Sequence, residues 1–241
     1  MPFVFGHGPW LPAWAARVPA MPDCEDAVVV DVLADQSLPF FRLMNAANAR
    51  AFGDLGMPAW VQLDCATLPT AMVGFAIRKR DLAPALAADL QNQAGVDVDD
   101  NALVPVAEFC ALPTPEPGHV VGFSLFSLVA GLGVRAKALG LLVMGARVQT
   151  GVTQIDNTAL RTHCRFGPLV VDKRGVQVHS KPGTTLVYRL QVPSSSTLIG
   201  LCTGSITRAV HAGPTRTTPA AELKEGDVVV DVVLDGIVIA A

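Results

Sequence analysis

Of the five lysines, four lie in polar or turn contexts: Lys79 (RKRD), Lys173 (DKRG), Lys181 (SKPG) and Lys224 (LKEG). Lys137 differs. It lies in Leu125–Ala146, LFSLVAGLGVRAKALGLLVMGA, where Arg135 is the only other charge. An ammonium withdrawn from water loses stability relative to the neutral amine, so burial lowers its pKa. A neutral amine can attack a ketone and form a Schiff base, and the iminium accepts the electrons released when a β-keto acid loses CO2. The plainer alternative is a lysine whose alkyl stem crosses apolar ground while its amine reaches water.

Glu108 is the parallel case among the acids, because it stands inside the apolar run ALVPVAEFCAL. A buried carboxylate must be paired or protonated. Glu108 is therefore either an ion-pair partner of Arg135 or Lys137, an acid/base group in a pocket, or an outward-facing strand residue. The histidines lack metal-site spacing, so no metal is expected. His163 beside Cys164 is the only adjacent pair that suggests a ligand or a Cys–His nucleophile. Gly131-Leu132-Gly133, with Gly140 after it, would suit a phosphate if it joined a strand to a helix. No G-x-S-x-G elbow or Walker-type loop is present. Cys24, Cys65, Cys110, Cys164 and Cys202 are spread singly, which fits buried thiols in a reducing cytoplasm better than disulfides or zinc.

The elements that would position these groups follow from periodicity and turn signals. Residues 1–25 read as an N-terminal arm on a single domain, 1–241. Ala27–Leu33 reads as a strand, Leu38–Phe52 as a helix capped by Ser37, and Thr70–Ile77 as a strand. Asp81 is expected to cap a short helix ending at Leu90, with Pro84 in its first turn. Asp97–Asn101 is an acidic turn, and Ala102–Leu112 and Val120–Leu128 are expected strands. Val134–Ala146 fits either a short helix or a strand. Beyond it, Val148–Ile155, Leu169–Val171, Val176–His179, Thr185–Val192, Thr197–Leu201, Ile206–His211 and Val228–Ile239 all read as strands. The expected class is mainly β with a few helices (α+β), an antiparallel barrel or sandwich.

With 51% hydrophobic and 16% charged residues and a mean hydropathy of +0.42, the chain is not disordered. Its net charge of −3 leaves no footprint for nucleic acid. The uncharged run Pro117–Val134 contains His119, two serines and four glycines, so it reads as a buried strand and turn and not as a membrane span. The expectation is a cytoplasmic protein that forms a homo-oligomer.

With Lys137 singled out, three stretches resemble the acetoacetate decarboxylase family: AMVGFAIRKRDLAPALAADL (71–90), GLGVRAKALGL (131–141), and LVYRLQVP (186–193) with ITRAVHAGPTR (206–216). The resemblance implies an antiparallel barrel or cone and decarboxylation of a small oxo-acid without a cofactor. It makes Lys137 the Schiff-base nucleophile, Glu108 the group steering protonation, and Arg135 a residue orienting the substrate carboxylate. The chain departs from the family in having alanines on both sides of Lys137 and no Gly-Arg-Glu stretch before it.

A second resemblance runs through Val120–Leu128, the Gly131–Gly140 turn, Val148–Ile155 and NTALRTHCRFG (157–167). These look like the acyl-CoA-binding half of a GNAT acetyltransferase, an α/β fold. That reading implies an acyl-CoA-dependent N-acyltransferase in which backbone N–H groups near Val134–Gly140 hold a pyrophosphate at a helix N-terminus. A non-catalytic ligand-binding β-domain is the third expectation. A splayed pair of parallel strands beside Gly131–Gly140 would distinguish the second reading from the others.

Overall fold

The computed structural model describes residues 1–7, 16–21, 23–30, 38–68, 71–175, 184–234 and 236–241. Among the described residues, eleven strands form one sheet in the order β2-β1-β3-β4-β5-β6-β8-β7-β10-β11-β9. They are β1 (Phe3–His7), β2 (Glu25–Val30), β3 (Met72–Arg78), β4 (Leu103–Pro113), β5 (His119–Ser127), β6 (Val148–Gln154), β7 (Leu169–Arg174), β8 (Thr185–Gln191), β9 (Thr215–Thr218), β10 (Val228–Val233) and β11 (Gly236–Ala240). β1 pairs parallel with β2 and β5 pairs parallel with β6, whereas the other pairings are antiparallel.

The order has two ends and does not close, which corrects the barrel expectation. An antiparallel barrel needs no crossover, but β5 and β6 are adjacent, parallel and joined through a helix. That βαβ unit makes the protein an open mixed α/β sheet. Residues 3–7, within the expected arm, form β1 inside the sheet.

Among the described residues, six α-helices accompany the sheet: α1 (Leu38–Phe52), α2 (Ala59–Ala66), α3 (Pro84–Ala94), α4 (Leu132–Val143), α5 (Thr158–Cys164) and α6 (Ser195–Thr203). Strand alternation decides which side each occupies. Phe109 on β4 and Val73 on β3 approach Gly140 so closely that a Cβ there would sit 2.3 Å from the Phe109 ring, so α4 lies on that face. Met72 and Cys110, facing the other way, pack with Phe41 and Met44 of α1 and Cys65 of α2. Helices therefore cover both faces.

α4 resolves the ambiguity at Val134–Ala146 in favour of a helix. It is apolar nearly all round because α6 and the sheet both cover it. Thr197–Leu201, expected as a strand, is the core of α6. Ser194 caps that helix by accepting the Thr197 N–H, and a short apolar run cannot by itself distinguish the two forms. Asp81 ends a 3-10 turn and does not cap α3, whose first residue is Pro84. Ile206–His211 is not a strand, and Val228–Ile239 is two strands folded into a hairpin. Ser37, residues 31–33, Val176–His179 and Lys181 lie outside the described residues. Pro117–Val134 is divided between β5 and the first turn of α4, and among the described residues no helix is long and apolar enough to cross a membrane.

Candidate functional site

The parallel pair β5–β6 is joined over only four positions, from His119↔Val148 to Gly122↔Gly151. Beyond them both strands continue, β5 to Ser127 and β6 to Gln154, without pairing to each other. Each stays bonded to its outer neighbour, β5 to β4 as far as Ser127↔Ala107 and β6 to β8 as far as Gln154↔Thr185. The sheet thus opens into a wedge at the carboxyl ends of two central strands.

Local sequence accounts for the opening. Gly122 and Gly151 face each other in the last joined pair. A Cβ at Gly122 would sit 2.3 Å from the Gln149 amide, and one at Gly151 would sit 2.4 Å from the Tyr188 ring. Gln149 also donates to the Tyr188 hydroxyl at 3.3 Å, so the two glycines accommodate one buried polar contact. Just past Gly122 the β4–β5 register shifts, with Cys110 opposite Ser124 and Ala111 opposite Gly122, which leaves the half-exposed Phe123 as the extra residue of a bulge. Bulges bend and twist a strand, here away from β6.

The wedge is lined by backbone. Leu128 N–H bonds Val106 C=O, so alternation turns the N–H and C=O of Leu125 and Ser127 away from β4 and into the opening. Val192 N–H bonds Arg147 C=O, and the same counting turns Val152 and Gln154 into it from the other side. At the mouth, Leu128–Gly131 carries β5 into α4. Gly131 has φ +84°, a left-handed conformation that glycine adopts without strain, and no side chain caps the helix. A Cβ at Gly133 would stand 3.1 Å from Ser127 Cβ, so this glycine lets the helix start close to the strand end. An uncapped helix N-terminus presents free N–H groups and the positive end of the helix dipole.

The residues singled out from sequence lie around this wedge but do not form one cluster. Lys137 is fully buried on α4, and its Nζ lies 2.9 Å from Nδ1 of the buried His163 on α5. It also sits 4.6 Å from the Phe166 ring centroid and 5.7 Å from that of Tyr188. Desolvation pushes Lys137 down to about 7, and burial and the neighbouring amine hold His163 well below its ordinary range. A neutral imidazole with Nδ1 unprotonated accepts from the amine. Cys164 is pushed up to about 12 by burial, which leaves a protonated thiol and no Cys–His nucleophile.

Glu108 lies on the opposite face. It neighbours Phe109, whose ring meets α4, so its carboxyl points toward α1 and α2. Neither carboxyl oxygen has a hydrogen-bond partner. Burial, reinforced by Cys65, pushes it up to about 8. It is therefore mostly a neutral acid at pH 7, and partner to neither cation. Arg135 makes a two-pronged ion pair with Asp23, at 2.7 and 2.8 Å, and its Nε donates to Cys202 C=O at 2.6 Å. Those bonds occupy the guanidinium that the sequence offered to a substrate carboxylate.

Sequence reasoning named the Gly131–Gly140 turn but missed the wedge edges and the Lys137–His163 bond. The available signal for the wedge was two glycines, Gly122 and Gly151, inside valine-rich strands, where an isolated glycine marks a bulge or close backbone approach.

No family model and no curated protein matches the sequence. Some solved structures are similar to part of the chain. The crystal structure of the NatC complex bound to Gag peptide and CoA is 12% identical with a TM-score of 0.47, over 68% of this chain and 96% of that one. Ard1 from Thermoplasma volcanium is 11% identical with a TM-score of 0.45, over 65% and 94%. A GNAT-family acetyltransferase from Bacillus anthracis is 10% identical with a TM-score of 0.38, over 63% and 90%. The open sheet with its parallel β5–β6 crossover overturns the barrel and the decarboxylase expectation that rested on it, and with it the Schiff-base role of Lys137 and the small oxo-acid substrate. A lysine sealed under a histidine and two rings, on the opposite face from Glu108, does not form the shared pocket that chemistry needs.

Proposed function

We propose that the protein is an acyl-CoA-dependent N-acyltransferase of GNAT type, with the acyl-CoA as a substrate held in the β5–β6 wedge. The observation that carries this reading is the splay itself: two parallel strands that part after Gly122↔Gly151 beside the uncapped start of α4. An extended chain bearing amides, such as pantetheine, can bond the outward N–H and C=O groups of Leu125 and Ser127 as a missing strand would. A pyrophosphate suits the helix N-terminus, where N–H groups and the dipole favour anions. Leu128–Gly131 contributes no cationic side chain, so backbone donors carry that contact.

In acyl transfer an amine attacks the thioester carbonyl, a donor stabilises the oxyanion that develops, and its collapse breaks the C–S bond, so that CoA leaves and the proton lost by the amine passes to the departing sulfur or to solvent. A backbone N–H of β5 aimed into the wedge can be that donor. Lys137 and His163 act as positioning residues in this reading. Their bond ties α4 to α5, the helices that follow β5 and β6, and so fixes the separation of the wedge arms.

Calorimetric titration with acetyl-CoA, followed by labelled-acetyl transfer to a panel of primary amines, tests the proposal. Saturable binding is expected, with protection of the Leu125 and Ser127 amides from hydrogen exchange. No binding at millimolar acetyl-CoA would reject it.

A further inference from the structure

Two thiols meet on the face of the sheet opposite α4. Cys65 stands in the last turn of α2 and Cys110 near the end of β4, and both are buried, at 4% and 0% exposure. They belong to one apolar cluster with Phe41, Met44 and Met72. The backbone explains the meeting. Leu68 N–H bonds Cys65 C=O, Ala71 N–H bonds Leu68 C=O, and Ala111 N–H bonds Ala71 C=O. These bonds lay the end of α2 against β4 beside residue 110, just before β3 begins.

The two side chains share a hydrogen bond, and they share it unequally. The Cys110 S–H donates to the Cys65 sulfur and holds the Cys65 thiol below its ordinary range, against the opposing effects of burial and of Asp64. The same bond, with burial and the Glu108 carboxyl on that face, pushes Cys110 well up. The thiolate is the nucleophilic form of a cysteine. Cys65 supplies it, and Cys110 keeps its proton. Access is unequal in the same sense. Asp64 and Thr67, beside Cys65, are exposed, so a small oxidant has a short way in to that sulfur, whereas Cys110 needs no contact with solvent.

We propose that Cys65 and Cys110 are a disulfide-forming pair, oxidised by a hydroperoxide to a covalent tie between α2 and β4. The Cys65 thiolate attacks one oxygen of hydrogen peroxide, the O–O bond breaks, and hydroxide leaves to take up the proton that Cys65 gave up. Cys65 is then a sulfenic acid. The Cys110 sulfur attacks it, the S–S bond forms, the S–O bond breaks, and the departing hydroxide takes the Cys110 proton. Two thiols and one peroxide become one disulfide and two waters, with the sulfurs oxidised and the peroxide reduced. Sulfurs already in hydrogen-bond contact have only to close to about 2 Å. The pair does not depend on acyl transfer in the wedge.

The test treats the reduced full chain with equimolar hydrogen peroxide, unfolds it in N-ethylmaleimide and maps its peptides without reductant by mass spectrometry. A linked pair of peptides carrying Cys65 and Cys110, lighter by two hydrogens than their sum, is expected. Cys164 and Cys202, whose buried thiols are pushed up to about 12, should oxidise at least about tenfold more slowly. In Cys110→Ala the sulfenic acid should persist on Cys65 and be trapped by dimedone, and in Cys65→Ala the Cys110 thiol should stay unoxidised. The mapping of the unaltered chain stands whether or not these variants fold. Maleimide on both Cys65 and Cys110 after peroxide, a link through any other cysteine in place of theirs, or a dimedone adduct on Cys110 in Cys65→Ala would each overturn the proposal.

Discussion

Lys137 and Glu108 are two fully buried ionisable groups displaced in opposite directions, so they shape the pH dependence of folding with opposite signs. Glu108 rises from an ordinary 4.5 to about 8. The unfolded chain releases this proton first, so the stability it contributes is complete below pH 4.5 and is lost as pH rises to 8, at about 1.4 kcal/mol per pH unit. Lys137 falls from 10.5 to about 7. Its contribution is complete above pH 10.5 and is lost as pH falls to 7. Together these two groups place a stability minimum between pH 7 and 8. Urea unfolding across pH 5–10 should show the Glu108→Gln variant losing the fall on the acid side. Lys137→Met should lose the alkaline rise, with a further destabilisation of about 1–3 kcal/mol from the orphaned His163 Nδ1. A minimum that survives in both variants would contradict these assignments. The sequence made the burial of both residues legible, because each stands nearly alone in an apolar run. It did not make the pairing legible. His163 is 26 residues from Lys137 and Asp23 is 112 from Arg135, and only the fold brings such partners together.

At the scale of elements, the wedge depends on close approach at glycines. Gly151→Ala would drive a methyl into the Tyr188 ring, displace it from Gln149 and strain the last joined pair of β5 and β6. Overpacking of this kind costs typically about 1–3 kcal/mol. Denaturant unfolding should show a lower midpoint with an unchanged slope, and acetyl-CoA affinity should fall with it. Gly95→Ala, where a Cβ meets nothing but φ is +62°, should lower stability without touching affinity. Strand and helix positions through Leu38–Phe52, β3, β4, β5, β6 and β8 follow from pattern and turn signals: β6 alternates buried and partly exposed residues, whereas β3 and β4, covered on both faces, read as short continuous apolar runs between turns. α4 and α6 do not, for a physical reason. Helices packed on two sides lose their polar stripe, and an apolar run of nine to twelve residues then reads as either form. Without α4 as a helix there is no β5–α4–β6 crossover, and strands with short turns alone assemble most simply as an antiparallel barrel.

Across the whole molecule, that crossover is also the seam. β5 and β6 share four residue pairs, whereas β4–β5 and β6–β8 are each joined over seven. The sheet is therefore two strongly paired blocks, β2-β1-β3-β4-β5 and β6-β8-β7-β10-β11-β9, meeting at a short parallel join. Among the described residues, further ties cross the seam: Lys137 to His163, Arg135 to the Cys202 carbonyl, His119 Nε2 to Thr150 Oγ1, Arg147 to the Pro117 carbonyl, and the packing of α4 on both α6 and the strands β3 and β4. Few bonds and one bridging helix make a joint that opens at lower free energy than either block unfolds. Native-state hydrogen exchange should accordingly show the amides of Phe123–Ser127 and Val152–Gln154 that face the wedge exchanging faster than the amides paired to β4 and β8. Lys137→Met should accelerate the first set selectively. A ligand spanning both arms adds bonds only in the closed arrangement, so saturating acetyl-CoA should slow those same amides by a factor that grows with its concentration over the dissociation constant. Uniform protection across both blocks, indifferent to acetyl-CoA, would mean the opening between β5 and β6 is neither a joint nor a binding site.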